Sequence, residues 1–182
     1  MLFSSWLRSS FPASRTAVGP RRPATRLTVE TLEDRCIPSA SLVADINPGA
    51  ASSNPQNLTN ANGALYFNAN GSGVWKSDGT PGGTVLLRDS STFSGESVFT
   101  PVNGTVLFND SEGVLGGLWR TDGTPAGTVL LKAVGVFASP HPGGRMPVIN
   151  GRAFFSGYDT NAGQELWASD GTAAGTVHVK DI

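Results

Sequence analysis

Three aspartates occupy equivalent positions in a short motif that occurs three times along the chain. Asp78, Asp122 and Asp170 lie within the pattern W-x-[ST]-D-G-T-x-x-G-T-V. A calcium loop normally offers several carboxylates in one short segment, whereas each loop here supplies a single aspartate. The spacing therefore favours a turn, in which the carboxylate accepts hydrogen bonds from the amides one and two residues ahead. Calcium bound at these aspartates is the alternative that the motif leaves open.

Other polar residues lie in segments whose length differs among the copies. Asp110 and Glu112 are in NDSEGVLGG, and Tyr158, Asp159 and Asn161 are in GYDTNAGQ. Repeat proteins place recognition residues in such variable loops, so these five are predicted to form a rim that contacts a ligand, with a sugar as one possibility. Solvated loop charges are the alternative interpretation.

The chain offers little for the common catalytic arrangements. His141 lies in the loop SPHPGG and His178 in a predicted strand, and neither has a Ser or Cys motif nearby. The HExxH, CxxC and phosphate-binding glycine-loop patterns do not occur. Cys36 is the only cysteine, which excludes an intramolecular disulfide. No catalytic residue and no cofactor is therefore predicted.

The motif belongs to a longer repeat that predicts an all-β fold. Trp75, Trp119 and Trp167 are 44 and 48 residues apart, a period typical of a four-stranded propeller blade. An Asn-Gly pair and an apolar run precede each tryptophan, and Asn-Gly between apolar segments favours a type I′ hairpin turn. Each unit is therefore predicted as four antiparallel strands, A to D. The Asn-Gly turn joins A to B, and the DGT loop joins C to D.

Alternating apolar residues give the bounds of the strands. Strand A is predicted at 58–61, 99–102 and 146–149, and strand B at 64–68, 105–109 and 152–156. The units span about 58–88, 99–132 and 146–180. In strand D, Leu86 and Leu130 oppose the valines, so apolar residues on both faces predict a blade covered on both sides. His178 takes that position in the third copy, where the stack is expected to end.

The motif residues are assigned a structural role. The tryptophans are expected to be buried packing anchors. The first glycine of each loop is expected to supply positive φ, and the second to let the chain enter strand D. These residues are Trp75, Asp78, Gly79, Thr80, Trp119, Asp122, Gly123, Thr124, Trp167, Asp170, Gly171 and Thr172.

The repeat domain is predicted to span residues 41–182, after a leader at 1–40. The leader has six arginines against three acidic residues and is either disordered or a targeting segment. Within it, 29–35 could form a short helical turn. Residues 41–46, SLVADI, match the end of the third unit and are expected to form an additional strand D. No stretch approaches the roughly 20 apolar residues of a transmembrane helix.

The motif resembles a known family. ELWASDGTAAGTVHVKDI, at 165–182, is similar to the ELWxxDGT repeat of secreted and surface proteins of bacteria. TLEDRCIPSA, at 31–40, is similar to the LEDRxxPS-type N-terminal segment of many bacterial surface proteins. The resemblance covers nearly the whole chain and implies a β-propeller-like extracellular array, but no reaction. Copies one and two depart from it, since Gly73 and Gly117 stand where Glu165 keeps the acid.

These observations favour an all-β chain of three tandem four-stranded antiparallel blades, which form an open or incomplete β-propeller because closure usually needs 4–8 blades. We expect a non-catalytic extracellular module that contacts protein or glycan at a cell surface, or self-associates to complete a propeller. A net charge of −1, with the excess of acidic residues in 41–182, argues against nucleic acid. The alternatives are a glycan-acting enzyme of the sialidase-like propeller type and a truncated, non-functional piece of a longer repeat protein.

Overall fold

The computed structural model describes Gly19 and residues 40–71, 73–90, 97–110, 115–137 and 145–180, and the structural statements below concern these residues. The chain divides into two units, Met1–Ser39 and Ala40–Ile182, and the strands all lie in the second. The secondary structure described is entirely β, which confirms the all-β prediction. The leader, except Gly19 and Ala40, lies outside the described residues, as do its predicted helical turn and Cys36. None of the described residues forms a helix long and apolar enough to span a membrane.

The strands form three antiparallel sheets, one for each repeat. Sheet 1 contains, in order, β1 (Gln56–Ala61), β2 (Ala64–Ala69), β3 (Gly73–Ser77) and β4 (Val85–Arg88). Sheet 2 contains β5 (Thr100–Val102), β6 (Thr105–Asp110), β7 (Gly117–Thr121) and β8 (Val129–Lys132). Sheet 3 contains β10 (Val148–Ile149), β11 (Arg152–Asp159), β12 (Gly163–Ser169) and β13 (Val177–Lys180), with β9 (Gly135–Phe137) also paired to β11.

Asn-Gly turns connect the first two strands of each sheet, as the sequence predicts. Asn62 and Gly63 have φ of +51° and +77°, and the other two pairs have similar values. Positive φ at both central residues is the requirement of the type I′ turn. A further Asn-Gly pair, Asn70-Gly71, lies between β2 and β3 with the same signs of φ, and it is absent from the strand assignment made from sequence.

Sheet 3 differs from the prediction at its first strand. That strand is in two pieces, because β9 pairs with Ser156–Tyr158 and β10 pairs with Arg152 and Ala153 along the same strand. The additional pairing with β9 extends β11 to Asp159, three residues beyond the predicted end. Residues 41–46 were also predicted as a strand, and they form none.

The three sheets pack face to face through two apolar clusters. We call the face that carries the tryptophan the tryptophan face, and the opposite one the reverse face. The first cluster joins the reverse face of sheet 1 to the tryptophan face of sheet 2 through Ala61, Tyr66, Val74, Leu87, Phe99, Val106 and Phe108. The second joins sheets 2 and 3 through Val98, Val102, Leu107, Leu118, Leu131, Val134, Met146, Ala153, Phe155 and Trp167. Sheet 2 is therefore covered on both faces.

The faces of strand D alternate as the sequence predicts. Leu86 and Leu130 pair across the strands with the tryptophans, and the valines before them pair with the reverse-face residues Lys76 and Arg120. Leu87 and Leu131 are buried on the reverse face, while Leu130 is 46% exposed. A β-bulge follows beside each tryptophan. His178 pairs with Trp167 on the face that packs against sheet 2, which corrects its expected place at the end of the stack.

The tryptophans lie on central strands, and each indole occupies a space that a glycine leaves open. Trp167 is buried, whereas Trp75 and Trp119 are half-buried. A Cβ atom added to Gly73 would lie 2.5 Å from Nε1 of Trp75. In sheet 3 that position is Glu165, and the indole lies instead against Gly157, the cross-strand partner of Glu165. Copies one and two therefore have glycine where copy three has Glu165, and copy three has its glycine on the neighbouring strand. This difference accounts for the departure of copies one and two from the repeat pattern.

Hydrogen exchange should be slowest in sheet 2, because it alone among the three sheets is covered by another sheet on both faces. Amides of β6 and β7 are expected to exchange at least about tenfold more slowly than those of β12 and β13. Hydrogen-exchange mass spectrometry at low protein concentration measures the difference. Faster exchange in β6 and β7 than in sheet 3 would contradict the order of stacking.

Candidate functional site

The DGT loop of sheet 1 is closed by a network of short hydrogen bonds. Oδ1 of Asp78 accepts from the backbone N of Thr80 at 2.9 Å and from its hydroxyl at 2.7 Å. Oγ1 of Thr80 accepts from N of Gly83, and the hydroxyl of Thr84 donates to the carbonyl of Thr80. The loop therefore has its polar groups bonded to each other across the connection from β3 to β4.

The other two loops repeat this network with the same partners. Thr124 N and Oγ1 donate to Asp122 at 2.9 and 2.7 Å, and Thr172 makes the corresponding bonds to Asp170. The amide one residue ahead does not bond the aspartate, contrary to the expectation. It donates instead to the hydroxyl before the aspartate, as Gly79 N does to Ser77 Oγ.

The second glycine of each loop makes room for the carboxylate. A Cβ atom added to Gly83 would lie 2.0 Å from Oδ1 of Asp78, and Gly127 and Gly175 have contacts of 2.1 Å with their own aspartates. None of these three glycines has positive φ. The sequence alone did not predict this role.

The loop aspartates already use one carboxylate oxygen for hydrogen bonds within the loop. Oδ1 of each already accepts two hydrogen bonds from its threonine, and these bonds lower the pKa of Asp78, Asp122 and Asp170, the side-chain bond more than the backbone bond. Within the described ranges no group of three or more His, Cys, Asp or Glu side chains comes together. Calcium would need several oxygen ligands from one place, and each loop supplies one carboxylate.

The DGT loops also join neighbouring sheets. Nζ of Lys76 in sheet 1 donates to the carbonyl of Gly123 in the loop of sheet 2 at 3.3 Å. Arg120 in sheet 2 makes the same bond to Gly171 in sheet 3 at 3.4 Å. Gly123 and Gly171 are buried by this contact, whereas Gly79 is exposed and has no atom within 4 Å of the position that a Cβ would take.

Asp110 is an interior residue, which corrects its expected position in an exposed loop. It ends β6 and is 2% exposed. Nε of Arg88 donates to its Oδ2 at 2.7 Å, and the hydroxyl of Ser90 donates to its Oδ1 at 2.9 Å. The guanidinium of Arg88 also lies over the ring of Trp119, 3.6 Å from its centre. Sequence reasoning missed this cluster, although the basic residue that ends strand D in every copy was a signal for it.

The other predicted rim residues are not all described. Glu112 lies outside the described residues, and so does His141, the loop histidine that was not part of the rim. Tyr158 and Asp159 belong to β11, and Asn161 lies in the short turn before β12. Oδ1 of Asp159 accepts from N of Ala162 at 2.7 Å and from N of Asn161 at 2.8 Å, and these backbone bonds lower the pKa of Asp159. Asp159 therefore shapes the turn, while Tyr158 and Asn161 are exposed beside it.

An apolar cavity of about 540 Å³ lies on the tryptophan face of sheet 1. Its apolar lining includes Leu42, Ile46, Pro55, Leu58, Leu65 and Phe67. Residues 41–44 and 46 line one side of it, and Nδ2 of Asn70, in the turn after β2, donates to the carbonyl of Ile46 at 3.4 Å. The cavity was not predicted, because the sequence pattern of residues 41–46 favours a strand.

Comparisons with protein-family models, with curated protein sequences and with solved structures find no match to this chain.

Adding a methyl group at the second glycine of the loop should destabilise the protein. Gly83→Ala places Cβ on the carboxylate of Asp78 and is expected to lower the free energy of unfolding by about 1–3 kcal/mol. Gly82→Ala is the matched control, since no atom lies within 4 Å of its Cβ position and copies two and three already have Ala126 and Ala174 there. Urea unfolding compares the two variants. Equal effects would contradict the role assigned to Gly83.

Stability should fall in acid because the loop aspartates have lowered pKa values in the folded protein. The contribution of these aspartates to the free energy of unfolding is complete above about pH 4, the ordinary pKa of Asp. It is lost as the pH falls through the lowered pKa of the folded protein. A triple variant replaces each loop aspartate with asparagine, which keeps an acceptor oxygen but has no carboxyl group to titrate. This variant, Asp78→Asn, Asp122→Asn and Asp170→Asn, should flatten the pH dependence of the urea midpoint between about pH 2 and 5. The same slope as in wild type would contradict this. Asp45→Asn with Asp89→Asn, outside the loops, is the control.

Proposed function

We propose that this chain is a non-catalytic binding or structural module of the ELWxxDGT repeat class, exported to the surface of a bacterium. In this proposal the three sheets are blades of an open propeller arc. The observation that supports it most is that the recurring polar residues hold the module together. The loop aspartates bind their own threonines, and Lys76 and Arg120 tie each sheet to the next loop.

The partner in this proposal is a protein or a glycan at the cell surface. The turn between β11 and β12 supplies an exposed aromatic ring, Tyr158, beside the exposed amide of Asn161. An aromatic face and an amide are groups that stack on and hydrogen-bond to a sugar ring. Nucleic acid is not proposed as a partner, because residues 41–182 carry seven basic and eleven acidic groups. No metal or other cofactor is required for such binding.

A glycan array with the full chain tests the proposal. Binding of a sugar with no release of product is the expected result. Turnover of any bound glycan would overturn the proposal in favour of a glycoside hydrolase of the sialidase-like type.

The proposed contact can be tested with two matched variants. Tyr158→Ala is expected to weaken glycan binding by about tenfold, the size of one lost stacking contact. Leu130→Ala removes an exposed apolar side chain of sheet 2 and is expected to leave binding unchanged. Binding titrations of each variant with the glycan found on the array give the comparison. Equal affinities for wild type and Tyr158→Ala would remove this turn from the site.

A further inference from the structure

The reverse face of sheet 3 exposes apolar side chains whose counterparts in sheet 2 are buried. Leu118 and Leu131 of sheet 2 are 0% and 9% exposed because sheet 3 covers them. Leu166 and Val179 occupy the same positions in sheet 3 and are 39% and 46% exposed. Large exposed apolar patches on a protein surface mark sites of interaction.

The two internal interfaces show what covers such a face in this fold. In both, the tryptophan face of the following sheet packs on it, and the basic residue that ends strand D lies over the tryptophan ring. Arg88 lies 3.6 Å from the ring centre of Trp119, and Nζ of Lys132 lies 5.8 Å from that of Trp167. Lys180 is the equivalent residue of sheet 3 and is exposed.

The tryptophan face of sheet 1 is the complementary surface. It is the one tryptophan face, among the three described, that no other sheet covers. The apolar cavity lies there, between Leu65 and Phe67 of the sheet and residues 41–46. Those residues pair with no strand and leave Leu42 and Val43 exposed, so they are a partial cover of this face.

We infer that the reverse face of sheet 3 binds the tryptophan face of sheet 1 in a second copy of this chain. The contact repeats the internal interfaces and places Lys180 of one copy over Trp75 of the other. Residues 41–46 give way when it forms. A head-to-tail contact of this kind generates a ring where the rotation closes. Two copies bring six sheets together, within the four to eight blades of closed propellers. The inference rests on the propeller arrangement proposed above and names a second copy as the partner.

One difference from the internal interfaces sets the strength of the contact. Lys76 and Arg120 each donate a hydrogen bond to the glycine carbonyl in the loop of the next sheet. The equivalent residue of sheet 3 is Ala168, which has no such donor. The contact between copies therefore lacks this bond.

Sedimentation equilibrium of the full chain over a range of concentrations measures the association. Wild type is expected to form a species of two chains, and Leu166→Asp is expected to weaken its formation at least tenfold. Leu130→Asp is the matched control, since it places the same charge at an exposed leucine of sheet 2 and should leave association unchanged. Lys180→Glu should weaken association, because Lys180 is the residue placed over Trp75 of the other copy. Circular dichroism establishes that each variant is folded.

A mixing experiment distinguishes head-to-tail contact from contact between two identical faces. Leu58→Asp changes an exposed residue that lines the cavity and should block the tryptophan face of sheet 1. Leu166→Asp blocks only the reverse face of sheet 3. Each variant alone should remain a single chain, whereas their mixture retains one intact pair of faces and should form a two-chain species.

Three results would overturn the inference. They are a wild-type mass of one chain at every concentration, equal effects of Leu166→Asp and Leu130→Asp, and no association in the mixture. None of them depends on a glycan, so failure of this inference and failure of the proposed function are separate outcomes.

Discussion

Each sheet depends on the contact between an aspartate carboxylate and the second glycine of its own loop. At Gly83 the carboxylate of Asp78 occupies the space where any other residue would have its Cβ. The carboxylate is held there by the amide and hydroxyl of Thr80, so the loop has one compact closure. That closure sets the register of the two strands it joins. A β-bulge lies beside the tryptophan in all three sheets, and Leu87 and Leu131 face the interior.

The same loop also contacts the neighbouring sheet, and this second role explains why the D-G-T residues recur unchanged in all three copies. The first glycine of each loop carries positive φ, and in sheets 2 and 3 its carbonyl accepts a bond from the cation that follows the tryptophan of the preceding sheet. A side chain at Gly123 would meet Lys76 and Tyr66, so glycine is needed for both the backbone conformation and the approach of sheet 1. Local turn geometry and packing between sheets therefore constrain the same few residues.

Sequence patterns predicted the parts of the fold that are set locally. The Asn-Gly turns, the order of the four strands and the place of the DGT loop depend on residues within one repeat, and the structure has them at the expected positions. The β-bulge beside each tryptophan could not be read from alternation, because a bulge inserts one residue without a signature of its own. The ion pair of Arg88 with Asp110 joins residues 22 positions apart in different sheets, so no local pattern reports it. The same ion pair explains why the ligand rim predicted from sequence was wrong at Asp110. That residue is buried in the interior, where it pairs with Arg88.

The two ends of the stack differ because the chain supplies a cover for one of them and not for the other within the described residues. On the tryptophan face of sheet 1, residues 41–46 carry the sequence pattern of strand D but have no sheet to join, so they line a cavity and leave Leu42 exposed. On the reverse face of sheet 3, Leu166 and Val179 have no counterpart above them. Side chains that suit an interior position in sheet 2 are thus present at a surface in sheet 3. Because the repeats are similar in sequence, the reverse face of sheet 3 keeps at Leu166 and Val179 the apolar character that sheet 2 buries at Leu118 and Leu131.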